Sequence, residues 1–135
     1  MRRYLLDSNA LNLLVYRRDG VFERAIEVRR TGAVIGTGIP VVAEILGGTL
    51  ASATWEVNLP RVEQVLSSLR LWPFDLQAAR EYGRLYADLR RIGVQMQVVD
   101  RMIAAIALTV PDCTVVTSDS DLSRVPGLKV ENWVR

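Results

Sequence analysis

The chain has no histidine, one cysteine and a single lysine, Lys129, among 135 residues. The missing histidine excludes Ser-His-Asp and Cys-His catalysis, a histidine general base and histidine metal ligation. One cysteine forms neither an internal disulfide nor a cysteine-ligated zinc site, so a reducing, cytoplasmic setting is the expectation. Cys113 lies in an apolar stretch and is predicted to be a buried, inert thiol. Long apolar runs are missing too. The opening Met1-Arg2-Arg3-Tyr4-Leu5-Leu6-Asp7 meets an acid after too few apolar residues to read as a signal peptide or a membrane span. Carboxylates, hydroxyls and guanidiniums are what remain for chemistry.

What is present suits a single globular domain spanning residues 1–135, since one core commonly serves a chain of this length. Half the residues are apolar and 24% are charged, with a net charge of +2. Apart from Lys129, every basic residue is arginine. Arginine favours phosphate contacts because its planar fork binds two oxygens at once. A general arginine bias in composition produces the same count.

Short apolar runs alternate with helical periodicity along the whole chain. Tyr4-Leu5-Leu6 reads as a buried strand, followed by an Asp7-Ser8-Asn9 cap and a short helix over Ala10–Val15. A second helix is predicted over Val21–Arg30, with Phe22, Ala25, Ile26 and Val28 inward. Ala33–Gly36 is a second strand. Pro40 opens a third helix with Val41, Val42, Ile45 and Leu46 toward the core, loosened or ended by Gly47-Gly48. A fourth covers Thr54–Leu69, where Pro60 is a candidate interruption. Leu71–Phe74 is a third strand, placed at an edge by its proline. Asp75 caps a long helix, Leu76–Arg91, ended by Gly93. Val98–Leu108 is an apolar helix, Thr114–Thr117 a fourth strand and Leu128–Val130 a fifth. This alternation predicts an α/β sandwich with a mostly parallel five-stranded sheet. Trp55, Trp72 and Trp133 are read as core or interface residues.

Several acids stand where solvated surface acids are not expected. Asp7 is at the carboxyl end of the first strand. Glu44 is inside Val41-Val42-Ala43-Glu44-Ile45-Leu46. Asp100 is inside Val98-Val99-Asp100-Arg101-Met102-Ile103. Asp119 and Asp121 follow the strand Val115-Val116-Thr117. Singly, each has an ordinary explanation: a helix cap for Asp7, a cap or an Arg101 partner for Asp100, an exposed stripe for Glu44, a plain turn for Asp119-Ser120-Asp121. Together they suggest a site. In an open parallel sheet, ligands bind beyond the carboxyl ends of strands where the order reverses. If the first and fourth strands are central neighbours, Asp7 and Asp119 meet there, and Glu44 and Asp100 start helices that can cover the same crevice.

Crowded carboxylates raise one another's pKa, and a cation removes that cost. Oxygen ligands without histidine or thiolate point to Mg²⁺ or Mn²⁺. Such a site suits metal-assisted hydrolysis of a phosphodiester, in which bound metal lowers the pKa of water and stabilises a leaving oxygen. Setting the five acids aside leaves 17 basic against ten acidic residues, a balance of +7. The remaining surface is then basic, as contact with nucleic acid requires.

With these residues in view, the chain resembles PIN-domain ribonucleases, and among them the VapC-type toxins of toxin–antitoxin pairs. Leu5-Leu6-Asp7-Ser8-Asn9-Ala10-Leu11 resembles the family's first motif. Ile39-Pro40-Val41-Val42-Ala43-Glu44-Ile45-Leu46-Gly47-Gly48 resembles the segment carrying the second acid, and Asp100-Arg101-Met102-Ile103-Ala104-Ala105 the third. Val115-Val116-Thr117-Ser118-Asp119-Ser120-Asp121-Leu122 and the stretch from Val125 to Trp133 resemble the closing motif. The resemblance implies a three-layer α/β/α sandwich, Mg²⁺- or Mn²⁺-dependent endoribonuclease activity on RNA, a homodimer and an inhibitory antitoxin protein. It implies catalytic roles for Asp7, Glu44, Asp100 and Asp119, with Asp7, Asp100 and Asp119 on metal and Asp119 acting through water. Ser8, Thr117 and Asp121 would orient and support them. Ser8 departs from the commoner Thr, and Leu122 from the commoner Phe; neither change removes an acid.

Two other readings compete. A haloacid-dehalogenase-type phosphatase needs a second acid two residues after the strand-end Asp, where this chain has Asn9, and a catalytic lysine, where it has only Lys129. A catalytically inactive PIN-like module for RNA binding or assembly would be expected to have lost an acid, and none is lost.

Overall fold

A computed structural model describes all of residues 1–135. The strands are β1 (Arg3–Leu6), β2 (Val34–Gly38), β3 (Arg70–Trp72), β4 (Cys113–Val116) and β5 (Lys129–Glu131). The helices are α1 (Ser8–Val15), α2 (Val21–Arg30), α3 (Ile39–Leu50), α4 (Trp55–Ser67), α5 (Leu76–Arg91) and α6 (Val98–Thr109), and a 3₁₀ segment covers Ser120–Arg124.

The sheet order is β3-β2-β1-β4-β5, and all four pairings are parallel, so "mostly parallel" becomes wholly parallel. β1 is central, with Leu5 paired to Gly36 on one side and to Val115 on the other. A strand covered on both faces is apolar along its length, and Tyr4, Leu5 and Leu6 are all buried. From β1 the chain steps outward to β2 and β3, then returns past β1 to β4 and β5. Right-handed crossovers put these outward and return connections on opposite faces, which gives the α/β/α layers. The reversal falls between β1 and β4, where a parallel sheet opens a crevice beyond its strand ends.

Local chemistry explains the ends of the elements. Asp7 caps α1 by accepting a hydrogen bond from the Ala10 N–H at 2.8 Å, and Asp75 caps α5 through the Ala78 N–H at 2.9 Å. Gly93, with φ +74°, ends the α5 region as a left-handed residue. β3 is at the edge as expected, but it covers Arg70–Trp72 rather than Leu71–Phe74, and Pro73 lies just past it instead of within it.

Three sequence expectations change. α3 runs through Gly47-Gly48 to Leu50 instead of ending there. The apolar face of the surrounding helix outweighs the propensity cost of about 1 kcal/mol per glycine. Pro60 does not interrupt α4 although it lies inside the helix, at its sixth residue; its fixed φ suits a helix, and one backbone hydrogen bond is lost. Ile26 is exposed, at 39%, not inward, and Trp55, at 41% exposure, lies outside the core half of its core-or-interface reading. Val21 takes the inward place on α2, beside Ala25 and Val28. Trp72 and Trp133 are buried as expected, and so is Cys113, whose thiol burial pushes up to about 12.

Candidate acid site at the strand ends

Asp7 is placed by the last residue of β1. Its N–H donates to the Val116 carbonyl at 3.0 Å, so the β1–β4 ladder continues into the site. Its side chain is only 4% exposed. Burial holds its pKa above the ordinary carboxylate range, opposed by hydrogen bonds from the Thr117 hydroxyl and the Ala10 N–H and assisted by the charge of Asp119. The capping role and the site role therefore coexist: one oxygen satisfies the helix end, and the carboxyl remains at the strand end.

Thr117 follows β4 and is buried. Besides its contact with Asp7, its Oγ1 accepts from the Asp119 N–H at 2.9 Å. The Asp119 carboxylate in turn accepts from the Asp121 N–H at 2.9 Å, which opens the 3₁₀ segment. Across the sheet, Asn9 Nδ2 donates to Ser118 Oγ at 3.1 Å and ties the start of α1 to this loop. Behind them, buried Thr37 donates to the Leu6 carbonyl at 2.7 Å and steadies the β1 end.

Glu44 sits on an exposed part of α3, yet the Ser8 hydroxyl donates to its Oε1 and connects it to the α1 start. Asp100 occupies the first turn of α6, where a carboxylate faces the positive end of the helix dipole. It does not pair with Arg101. That guanidinium turns to the α5 aromatics, with its Nε donating to Tyr82 Oη at 3.2 Å and its carbon 5.0 Å from the Tyr86 ring centre.

Asp100 integrates the set. Its pKa is pushed up to about 6, first by burial and then by the charges of Asp119, Asp7, Glu44 and Asp121. All five acids singled out in the sequence thus share one electrostatic neighbourhood. None of them belongs to any of the six salt bridges, which involve other carboxylates. The donor set is hard oxygen carrying uncompensated negative charge, which fits a hard divalent cation. No three of these side chains close into a ready metal cluster, as mutually repelling carboxylates without a counter-ion would not. A cavity of about 450 Å³ lies elsewhere, between α1, α2 and α4.

The pKa shift of Asp100 carries a sign that can be tested. Its folded value lies above the ordinary 3.8, so the folded state binds the proton more tightly than the unfolded chain does. The penalty is absent below pH 3.8 and complete above about pH 6. In chelator, Asp100→Asn should match the wild-type Tm at the acid end of this window and exceed it by several degrees at the alkaline end. The side chain is partly solvated, and screening reduces the gain accordingly. A Tm difference that does not change with pH would refute the shared-charge description.

The sequence reading missed the Asn9–Ser118 tie and the Thr37 anchor. Both join residues remote in sequence, and nothing local marks them. Comparison with known proteins agrees with the geometry. The PIN-domain family model matches residues 4–128. The tRNA(fMet)-specific endonuclease VapC of Salmonella typhimurium is 26% identical over 133 residues, 98% of this chain and 99% of that one. VapBC2 of Rickettsia felis, solved bound to a DNA fragment from its promoter, superposes with a TM-score of 0.90 at 26% identity, covering 97% of this chain and 98% of its counterpart. DNA-bound VapBC from Salmonella typhimurium gives 0.88 at 29% identity, covering 98% and 99%. No helix of the chain is long and apolar enough to cross a membrane. With the acids of all four motifs gathered at the β1–β4 ends and the family match spanning nearly the whole chain, the protein belongs to the PIN-domain family, alongside its VapC ribonucleases.

Proposed function

We propose that this protein is a VapC-type endoribonuclease that hydrolyses RNA phosphodiester bonds at the acid site and is neutralised by a cognate antitoxin protein. The observation that carries this reading is the convergence of four carboxylate charges on Asp100 with no basic partner among them. In it, Asp7, Asp100 and Asp119 hold Mg²⁺ or Mn²⁺, Asp119 through water. The metal supplies an acidified water and charge stabilisation at the phosphate. Glu44, exposed at the mouth and touched by Ser8, completes the catalytic set. Thr117 positions Asp7 and the Asp119 backbone, and Asp121 supports the Asp119 turn. Without histidine, proton transfer passes through carboxylates and water.

The antitoxin follows from the VapBC complexes among the structural relatives. A homodimer would cover exposed apolar residues on α5 and α6, including Tyr86 at 43% and Val98 at 50% exposure. The membership of the PIN family removes the phosphatase reading, whose acid and lysine are missing from the chain. The experiment is RNA cleavage by the purified protein with Mg²⁺, with Mn²⁺ and with EDTA. Cleavage with either metal and none in EDTA is expected. Absence of cleavage of total RNA with both metals, in protein that binds neither, would leave the inactive module as the correct reading.

A further inference from the structure

Two helix stripes lead away from the acid site. On α1, Ser8 and Asn12 are one turn apart, and Tyr16, at the helix end, continues the same line. On α3, Glu44 and Gly48 repeat that spacing, and Ser52 follows just past the helix. All of these residues line one groove of about 360 Å³, which Asn58 of α4 also faces. The Ser8–Glu44 hydrogen bond joins the two stripes at the acid end.

The chemistry changes along the groove. Glu44 is the only charged residue lining it. The middle offers amides and hydroxyls. Asn12 is exposed with no side-chain hydrogen bond, and Asn58 Nδ2 donates to Thr54 Oγ1 at 2.8 Å, leaving its carbonyl oxygen available. At the far end, the Tyr16 ring has the Arg61 guanidinium 5.6 Å from its centre and that of Arg18 at 6.0 Å. Neither arginine is in an ion pair. Ring-held guanidiniums keep their hydrogen-bonding forks for another anion.

Gly48 is a second, independent observation. A glycine inside a helix is unfavourable relative to alanine. A Cβ at Gly48 would meet nothing within 4 Å, so packing within the chain does not require glycine. A ligand that approaches the helix backbone does require it. Gly47, next in sequence, is equally open but does not line the groove, which makes it the natural control.

We propose that this groove is the track for single-stranded RNA on one side of the cleaved bond, an inference that rests on the nuclease reading. The sugar-phosphate chain crosses the open floor at Gly48, Asn12 and Asn58 hydrogen-bond base edges, and Arg18 with Arg61 take the phosphate at the end. Eight helical residues separate Ser8 from Tyr16, about 12 Å. At a stacked spacing of about 3.4 Å, that holds roughly three nucleotides.

The test measures binding of a fluorescein-labelled, mixed-sequence single-stranded RNA in EDTA, with cleavage in Mg²⁺ measured separately. Gly48→Leu should bind about tenfold more weakly, the weight of one lost specific contact, while its Tm equals or exceeds that of wild type. Gly47→Leu should gain the same Tm and bind normally. Arg61→Gln should weaken binding and flatten the slope of log K against log salt by about 0.7, one phosphate on a single strand. Arg30→Gln, the same charge change at the far end of α2, should leave both unchanged. Normal RNA binding by Gly48→Leu overturns the track, and so does wild-type protein that binds no RNA. If Gly48→Leu binds RNA normally but escapes the antitoxin, the groove belongs to the protein partner and the track is likewise overturned. Cleavage by wild type in Mg²⁺ keeps these outcomes apart from failure of the nuclease reading itself.

Discussion

Asp7→Asn should eliminate RNA cleavage and leave the fold standing. Asparagine is as good a helix cap as aspartate, so the hydrogen bond from the Ala10 N–H survives. The shape at the end of β1 is kept, and so is the backbone bond to Val116. What disappears is one buried negative charge beside Thr117 and Asp119. That charge is costly to the free protein and is what a divalent cation would use. Stability without metal should therefore rise while activity falls by a factor on the order of 10²–10³ or more, the usual loss for a central electrostatic group. Cleavage gels of the purified variant, with Tm in chelator and in Mg²⁺, check both halves. Full activity would remove Asp7 from the site. A collapsed fold would mean that its structural part outweighs its charge, and Asp100→Asn would then carry the test.

Gly36→Ala should be among the most damaging small substitutions in the chain. Gly36 lies in β2, paired with Leu5 of β1 on one side and Arg70 of β3 on the other. A Cβ there would stand 2.2 Å from the Arg70 carbonyl oxygen and 2.8 Å from the Trp72 ring. The oxygen belongs to backbone and cannot rotate away. Relief would require β3, only three residues long, to leave the sheet. The expected cost is at least about 3 kcal/mol, the upper range of overpacking. For a domain of this size that lowers Tm by roughly 10 °C. Thermal unfolding followed by circular dichroism decides it, and a variant within a degree or two of wild type would show that β3 yields more easily than its pairing suggests.

Much of the fold was legible in the sequence because the signals were local. The limits of α2 and α5 were read to the residue from periodicity, caps and a closing glycine. Edge placement of β3 followed from Pro73. The misreadings have a common cause. Gly47-Gly48 and Pro60 are helix breakers only in isolation, and tertiary packing overrode them in α3 and α4. Ile26 is apolar, but the face it occupies is set by which neighbour its helix meets.

The acids were legible for a different reason. A carboxylate inside an apolar run is an anomaly that composition alone exposes, and Asp7, Glu44 and Asp100 each made one. Asn12, Asn58 and Arg61 made none. Polar residues on helices read as ordinary solvated surface, and only the groove beside Glu44 sets Asn12 and Asn58 apart, with Arg61 held over the Tyr16 ring at its end.

The sequence by itself determined the available chemistry: hard oxygen ligands, no histidine, no redox thiol, arginine for anions, and the helices and strands that carry them. These depend on residue type and near neighbours. Only the tertiary structure decided that β1 lies between β2 and β4, and hence that residues more than a hundred positions apart share one electrostatic field. Parallel pairing is made by long crossovers, and nothing in a strand's own residues names its partner. The choice falls to packing of the whole core, where burial of both sheet faces selects one order.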